Sequence, residues 1–204
     1  MDYHGVEIKN CENVYPPSDD TFLLVESLRP YLREGISFLE IGVGTGLIAI
    51  FAAKKGVKVT GTDINPKAIA CTRRNATLNH VSFHLKKSDL FTKVRGVYDV
   101  VAFNPPYLPA VEDDKFLSSH MKKALVGGSK GHELSVRFVR EVGTYLKERG
   151  CAFLIASSRG EKPALVKNAK EEGFQVQEEG QKSFFFERIY ALRLKKEKNE
   201  TIAV

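Results

Sequence analysis

Between Ile36 and Gly56 the chain passes from a short apolar run, ISFLEI, through three alternate glycines at 42, 44 and 46, into a helix-like stretch, GLIAIFAAKKG. A strand that turns straight into a helix is half of a β–α–β unit, which needs a second strand parallel to the first in the same sheet. The partner follows at once, because VKVTGTD (57–63) is β-branched and alternating. The pattern then repeats. NPKAIACTRRNATLNH (65–80) reads as a helix with Asn65 as N-cap and Pro66 at its first position. VSFHLKK (81–87) alternates again, and VYDVVAF (97–103) is a buried strand. HELSVRFVREVGTYLKERG (132–150) sets Leu134, Phe138, Val142, Tyr145 and Leu146 on one helical stripe. CAFLIAS (151–157) is a strand and KPALVKNAKEEG (162–173) a helix; FQVQEEG (174–180) and SFFFERIYALRL (183–194) are strands joined through Gly180-Gln181-Lys182. An apolar helix, DDTFLLVESLRPYL (19–32), precedes the series. Such a series folds as an α/β sheet, mostly parallel, with an antiparallel pair at one edge.

A length of 204 residues suits one domain with a proper core. We expect an N-terminal extension and helix over 1–35, an α/β core over 36–194 and a frayed tail over 195–204. The net charge of +6 favours an anionic partner such as RNA or a ribonucleoprotein without requiring one. The basic pairs Lys54-Lys55, Arg73-Arg74, Lys86-Lys87 and Lys122-Lys123 are scattered, which suits solvated faces better than a phosphate track. Cys11, Cys71 and Cys151 are odd in number and fit neither a zinc spacing nor a disulfide framework, so reduced thiols in a cytoplasmic protein are expected. The start of the chain shows no apolar leader. The longest apolar stretch, Ile36 to Ala53, contains Glu40 and glycines and is too polar to cross a membrane.

Glycines at a strand-to-helix turn let a ligand approach the backbone closely, and one tight turn does not explain all of Gly42, Gly44 and Gly46. The spacing is G-x-G-x-G rather than the G-x-G-x-x-G of dinucleotide sites. Glu40, just before the turn, would repel a pyrophosphate and would suit a cationic ligand such as the ammonium or sulfonium of S-adenosylmethionine. Asp63, at the end of the next strand, can accept hydrogen bonds from a ribose diol, a contact common to both cofactors. Asp89 ends the third unit, where it could bind an adenine amino group while Leu90 packs on the ring. The five histidines (His4, His80, His84, His120 and His132) stand in no triad or metal spacing, and no metal site is expected.

The run VVAFNPPYLPA (100–110) stops a buried strand with Asn104, Pro105, Pro106 and Tyr107. Asn104 ends the fourth strand, beside the first in a sheet wound both ways from its centre, and so lies next to the glycine loop. The prolines lack N–H groups and hold φ near −65°. The Asn104 side-chain oxygen and a proline carbonyl make two acceptors for an –NH2 group, and Tyr107 offers a flat wall to a planar substrate. An amide nitrogen is a poor nucleophile, and acceptors on both of its N–H groups aim its lone pair at a methyl sulfonium. Nucleobase amines would fit the same grip, and lysine amines less well.

With Glu40-x-Gly42-x-Gly44-x-Gly46, Asp63-Ile64-Asn65-Pro66, Ser88-Asp89-Leu90 and Asn104-Pro105-Pro106-Tyr107 in place, the chain resembles class I S-adenosylmethionine-dependent methyltransferases. It is most similar to the HemK-like release factor glutamine methyltransferases. VYPPSDDTFLLVESL (14–28) and LVGGSKGHELSVRF (125–138) resemble the short eukaryotic and archaeal branch. The resemblance implies a Rossmann-like, seven-stranded sheet with the last strand antiparallel and helices on both faces. It implies that Thr21, Glu40, Gly42, Gly44, Gly46, Asp63, Ile64, Asp89, Leu90 and Asn104 hold the donor, and that Asn104, Pro105 and Tyr107 hold the substrate. The implied reaction is N5-methylation of the glutamine in the Gly-Gly-Gln motif of a class I release factor, in the cytoplasm. The bacterial enzymes' N-terminal helical domain has no counterpart in the dozen or so residues before the match. The short branch implies instead a small zinc-binding activator subunit docked along an edge strand. Adenine-N6 and other nucleobase amines, or protein lysine, are the alternative acceptors; a silent cofactor-binding scaffold and a nicotinamide oxidoreductase are disfavoured by the intact NPPY and by Glu40.

Overall fold

The computed structural model describes residues 1–110 and 125–197. β1 (Asp2–Tyr3) and β2 (Val6–Glu7) form a short antiparallel hairpin, followed by α1 (Asp19–Leu28). β3 (Ser37–Ile41), α2 (Leu47–Lys54), β4 (Lys58–Asp63), α3 (Pro66–Leu78) and β5 (His84–Lys87) build two β–α–β units. β6 (Tyr98–Phe103) leads into β7 (Leu108–Pro109), which pairs with β8 (Val126–Gly128). α4 (Glu133–Val142), β9 (Leu146–Ser157), α5 (Lys162–Glu171), β10 (Phe174–Ser183) and β11 (Arg188–Lys196) complete the described chain. Seven strands form one sheet in the order β10-β11-β9-β6-β3-β4-β5, and only β11 runs against its neighbours.

The central strands read as unbroken apolar runs because helices cover both faces of the sheet. Successive side chains alternate between the two cores: along β9, Phe153 and Ile155 pack with α1 and α2, while Ala152, Leu154 and Ala156 pack with α4 and α5. β6 divides the same way, with Val100 and Ala102 on the first face and Val101 and Phe103 on the second. Asn65 caps α3 as expected, its side chain accepting from the Lys67 amide at 2.9 Å with Pro66 in the first turn. With every parallel strand ending at one edge, the loops after β3, β4, β5 and β6 collect there.

Several expectations are corrected. The helix expected over 132–150 ends at Val142. Gly143–Tyr145 make a 3-10 turn, and Leu146 opens β9 opposite Tyr98. Tyr145 still buries its ring, stacked on Phe91 at 4.5 Å, so the apolar spacing survives while the backbone changes. The hairpin turn lies at Phe184–Glu187, not at 180–182; the Phe184 amide donates to the Glu187 carbonyl at 2.6 Å. Gly180 instead marks a bulge beneath α1, where a Cβ would stand 3.0 Å from the Leu23 side chain. The strand β11 extends to Lys196, past the expected start of the tail, and β5 begins only at His84. Cys11 and Cys71 are joined as a disulfide, with Cα atoms 6.1 Å apart, and only Cys151 is a free thiol, buried. Packing of Val14 against Ala68 of α3 brings that pair together, and sequence spacing carries no trace of it. His120, Lys122 and Lys123 lie outside the described residues.

At the opposite edge of the sheet, Asp99 ties three strands. Its Oδ2 accepts from the Ser37 amide at 2.8 Å, the Ser37 hydroxyl at 2.7 Å and the Lys147 ammonium at 2.7 Å. Burial alone would push this carboxyl up, but Lys147 and Ser37 outweigh it and draw it from 3.8 down to about 2. A depressed carboxyl stabilises the fold above its free value and loses that contribution as pH falls towards its folded value. Asp99→Asn is therefore expected to lower stability by about 1 kcal/mol near pH 7, a solvent-screened figure. The difference from wild type should shrink between pH 5 and pH 2 in urea titrations; a difference independent of pH would refute the assignment.

Candidate active site

The turn after β3 holds Gly42, Gly44 and Gly46 at φ values of +70°, +53° and +91°, a region that side chains with a Cβ rarely enter. That backbone requirement, and not ligand approach alone, explains the alternate glycines. Gly46 makes no part of the cavity wall. It starts α2 against α3, where a Cβ would lie 2.8 Å from the Thr72 methyl, so helix packing also calls for glycine here.

A cavity of about 490 Å³ opens at the carboxyl edge. Its size falls within the ~300–1,000 Å³ of pockets that enclose ligands of nucleoside size and above. Thr21, Glu40, Gly42, Gly44, Asp63, Ile64, Asp89, Leu90, Asn104, Pro105, Pro106 and Tyr107 all line it. The fold thus gathers every expected site residue except Gly46 around one space.

Glu40 is 3% exposed, and its Oε2 has no hydrogen-bond partner. Burial pushes the carboxyl well above its ordinary 4.5; the Ala49 amide of α2 counters this, and the charge of Asp63 adds to it. Asp63 is anchored at both oxygens, Oδ2 by the Gly44 amide at 3.0 Å and Oδ1 by the Asn65 amide at 2.8 Å. Its carboxyl is also raised, because burial outweighs these donors. Leu90 is buried at φ +40°, a strained conformation for a branched side chain. Ser88 holds it there: its hydroxyl donates to the Leu90 carbonyl at 3.0 Å and accepts from the Lys93 amide at 3.0 Å. Ile64 stands 56% exposed on the cavity rim, and Asp89 pairs with Arg137 of α4 at 3.5 Å.

On the opposite wall the Asn104 Oδ1 is buried and unpartnered. The loop that follows is clamped by glycines. A Cβ on Gly127 would lie 2.3 Å from the Pro106 carbonyl oxygen, and one on Gly131 or Gly160 would lie 2.5 Å from that of Tyr107. The Pro106 carbonyl therefore faces β8, which leaves Pro105 as the proline carbonyl next to Asn104. Tyr107 is more than a flat wall: its hydroxyl donates to Asp20 Oδ2 at 3.1 Å. Burial and the neighbouring carboxylates of Asp20 and Glu187 push that hydroxyl far up, which keeps it protonated. Thr21 belongs to the α1 capping box, accepting from the Ser18 amide and donating to Asp20.

Sequence reasoning missed Asp20, Arg137 and the segment Asn13–Tyr15, all of which line the cavity. Among the described residues, no group of three or more His, Cys, Asp or Glu is placed to hold a metal ion, and no helix is long and apolar enough to cross a membrane. Two buried acceptors without donors, Glu40 Oε2 and Asn104 Oδ1, leave a demand that a ligand bearing positive charge and N–H groups would meet.

Residues 17–182 match the model of the methyltransferase small domain family. A Methanocaldococcus jannaschii protein named as a candidate N5-glutamine methyltransferase is 39% identical over 94% of this chain and 96% of its own length. Methyltransferase HEMK2 of Mus musculus is 32% identical, covering 80% of each chain. The release factor glutamine methyltransferase of Streptococcus pneumoniae is 34% identical over 75% of this chain but only 57% of its own length. Among solved structures, the E. cuniculi Mtq2-Trm112 complex, described as responsible for methylation of the eRF1 termination factor, superposes with a TM-score of 0.73. It is 25% identical and covers 91% of this chain and 99% of that one. The chain belongs to the methyltransferase small domain family, on the branch that holds the HemK-like release factor glutamine methyltransferases.

Proposed function

We propose that this enzyme transfers a methyl group from S-adenosylmethionine to the side-chain nitrogen of the glutamine in a Gly-Gly-Gln motif of a class I release factor. The observation that carries it is the unpartnered, buried Asn104 Oδ1 on the wall of a cavity that Pro105 and Glu40 also line. Bound here, S-adenosylmethionine supplies an electrophilic methyl group on a cationic sulfonium. Glu40 balances that positive charge, Asp63 and Asp89 offer acceptors to the nucleoside, and Leu90 and Ile64 pack on its apolar faces. Gly42 and Gly44 let the loop backbone close over the ligand, and Thr21 fixes the start of α1 at the rim. Asn104 and Pro105 accept both amide N–H groups and aim the nitrogen lone pair, while Pro106 and Tyr107 hold that geometry through β8 and Asp20. Growing positive charge on nitrogen is stabilised by acceptors that need no reorganisation. The tyrosine hydroxyl, already donating to Asp20, takes no proton, and the methylated nitrogen loses its own to water.

The Methanocaldococcus jannaschii and Streptococcus pneumoniae relatives and the Mtq2 structure support this substrate, and the Mtq2-Trm112 complex supports a small activator subunit. We place a zinc-binding activator along a free edge of the sheet, β5 or β10, and the enzyme in the cytoplasm. The disulfide is compatible with that location in hyperthermophiles, whose intracellular proteins keep such bonds. The test is transfer of labelled methyl from S-adenosylmethionine to a release factor, with and without a co-expressed activator. Label on wild-type factor but not on its Gly-Gly-Glu variant is expected. Label on nucleic acid with none on the factor would sink the glutamine assignment.

Glu40→Gln separates charge from shape. A carboxyl raised in the fold weakens stability progressively as pH climbs past its free value of 4.5, so the amide relieves that cost at neutral pH. The donor-free variant should melt no lower than wild type at pH 8. Its affinity for S-adenosylmethionine should fall about tenfold to a hundredfold by calorimetry, the loss of one charged contact. Unchanged affinity would remove Glu40 from the donor site.

A further inference from the structure

The turn between β10 and β11 carries Phe184, Phe185 and Phe186 at 41%, 92% and 85% exposure. No other described stretch leaves consecutive large apolar side chains in solvent. The tip is ordered: Phe185 and Phe186 meet edge to face at 4.6 Å, and the Arg188 guanidinium donates to the Ser183 hydroxyl at 3.1 Å. Two preformed aromatic rings bury ~150–250 Å² each when covered and lose little side-chain freedom in the process.

The position of the tip says what covers it. β11 runs against β9, so the turn reaches the same edge as the cavity. Ser158 and Arg188 exchange two hydrogen bonds, at 2.8 and 3.0 Å, and the Ser157 hydroxyl donates to Glu187 at 2.6 Å. The turn from Ser157 to Gly160 is the one that abuts the Tyr107 carbonyl. On the other flank, Lys182 pairs with Asp19 at 2.5 Å, next to the Asp20 that holds the Tyr107 hydroxyl. The aromatic tip therefore stands on the cavity rim, braced on both sides by the groups that position the NPPY loop.

The charges around it select the class of partner. Lys182, Lys162 and Arg193 are each paired with a carboxylate, Asp19, Glu178 and Glu179. Arg159 and Arg188 are the cations left near the turn among the described residues. A nucleic acid or an anionic membrane needs a row of unpaired cations; an apolar protein surface does not. We propose that Phe185 and Phe186 dock an apolar surface of the folded protein substrate, beside the loop that presents its glutamine. The proposal rests on the glutamine assignment above.

The test compares wild type with Phe185→Ser/Phe186→Ser on two acceptors, a folded release factor and a short Gly-Gly-Gln peptide. Both side chains are in solvent, so melting temperature should stay within a few degrees; the conservative Phe185→Tyr should behave as wild type. The expected result is a KM for the folded factor raised on the order of tenfold to a hundredfold, with kcat within twofold and peptide kinetics unchanged. An unchanged KM for the factor overturns the docking site and leaves the glutamine assignment standing. An equal rise for factor and peptide also overturns it, since the cavity itself would then be altered. A shift from dimer to monomer on sedimentation with KM unchanged overturns it in favour of a second copy of this chain. Absence of transfer to either acceptor by the wild type co-expressed with its activator brings down the glutamine assignment, and the docking site with it.

Discussion

Replacing Asn104 with alanine should lower turnover by roughly two to three orders of magnitude, the loss of one preorganised polar contact to charge that grows in the transition state. The effect falls on turnover because the side-chain oxygen has no other work: it is buried, accepts from nothing in the protein and serves no cap or turn. Removing it leaves no protein donor stranded, so the fold should survive with a small cavity in its place. Glu40, Asp63 and the backbone of the glycine loop adjoin Asn104 but do not depend on its side chain for their place, and donor affinity should fall only severalfold. Single-turnover transfer to a release factor, with donor binding measured separately, checks both halves. Turnover within threefold of wild type would mean that the amide is not held by Asn104, whatever else lines the cavity.

The parts of this site that were legible in the sequence are those carried by one local stretch. Gly42, Gly44 and Gly46 each need a positive φ, and a run of such positions between a strand and a helix leaves an unmistakable spacing. Asn104 ends an apolar run, and the prolines after it have a single backbone meaning. The central strands were legible because both faces are buried, as the alternation of Phe153 and Leu154 between two cores requires. What was hidden depends on pairs far apart in the chain. Asp20 meets Tyr107 across 87 positions and Cys11 meets Cys71 across 60; no local period records either contact. Gly180 misled for a different reason. A glycine within a strand pattern marks a turn or a bulge equally well, and only the passage of α1 over β10 decides between them. The packing of Gly46 on α3 was hidden in the same way, since Thr72 is what a side chain there would strike.

A single methyl group at Gly127 should cost transfer about a hundredfold, the usual loss when a reacting group is displaced by about 1 Å. Its Cβ would fall 2.2 Å from the Gly131 carbonyl oxygen and 2.3 Å from that of Pro106, and both are backbone atoms with no rotamer to change. Something must therefore move. β8 is pinned from one side by Glu133, whose carboxylate takes the Ser129 hydroxyl at 2.7 Å and the Lys130 amide at 2.9 Å. On the other side Leu108 pairs with Val126, and the Ala110 amide donates to Gly128 at 3.0 Å. The Pro106 carbonyl is the atom struck on the acceptor loop, and displacing it carries the adjoining Pro105 carbonyl away from the second amide hydrogen. The loss should appear in kcat, with donor affinity unchanged, because the glycine loop after β3 takes no part in the clamp. Gly96→Ala is the matched control. Gly96 sits at φ +84° with no atom near the added Cβ, so its variant should lose about 1 kcal/mol of stability through backbone strain and keep full turnover. If Gly127→Ala keeps its turnover, or loses it only in proportion to the fraction unfolded, the clamp is not what positions the acceptor.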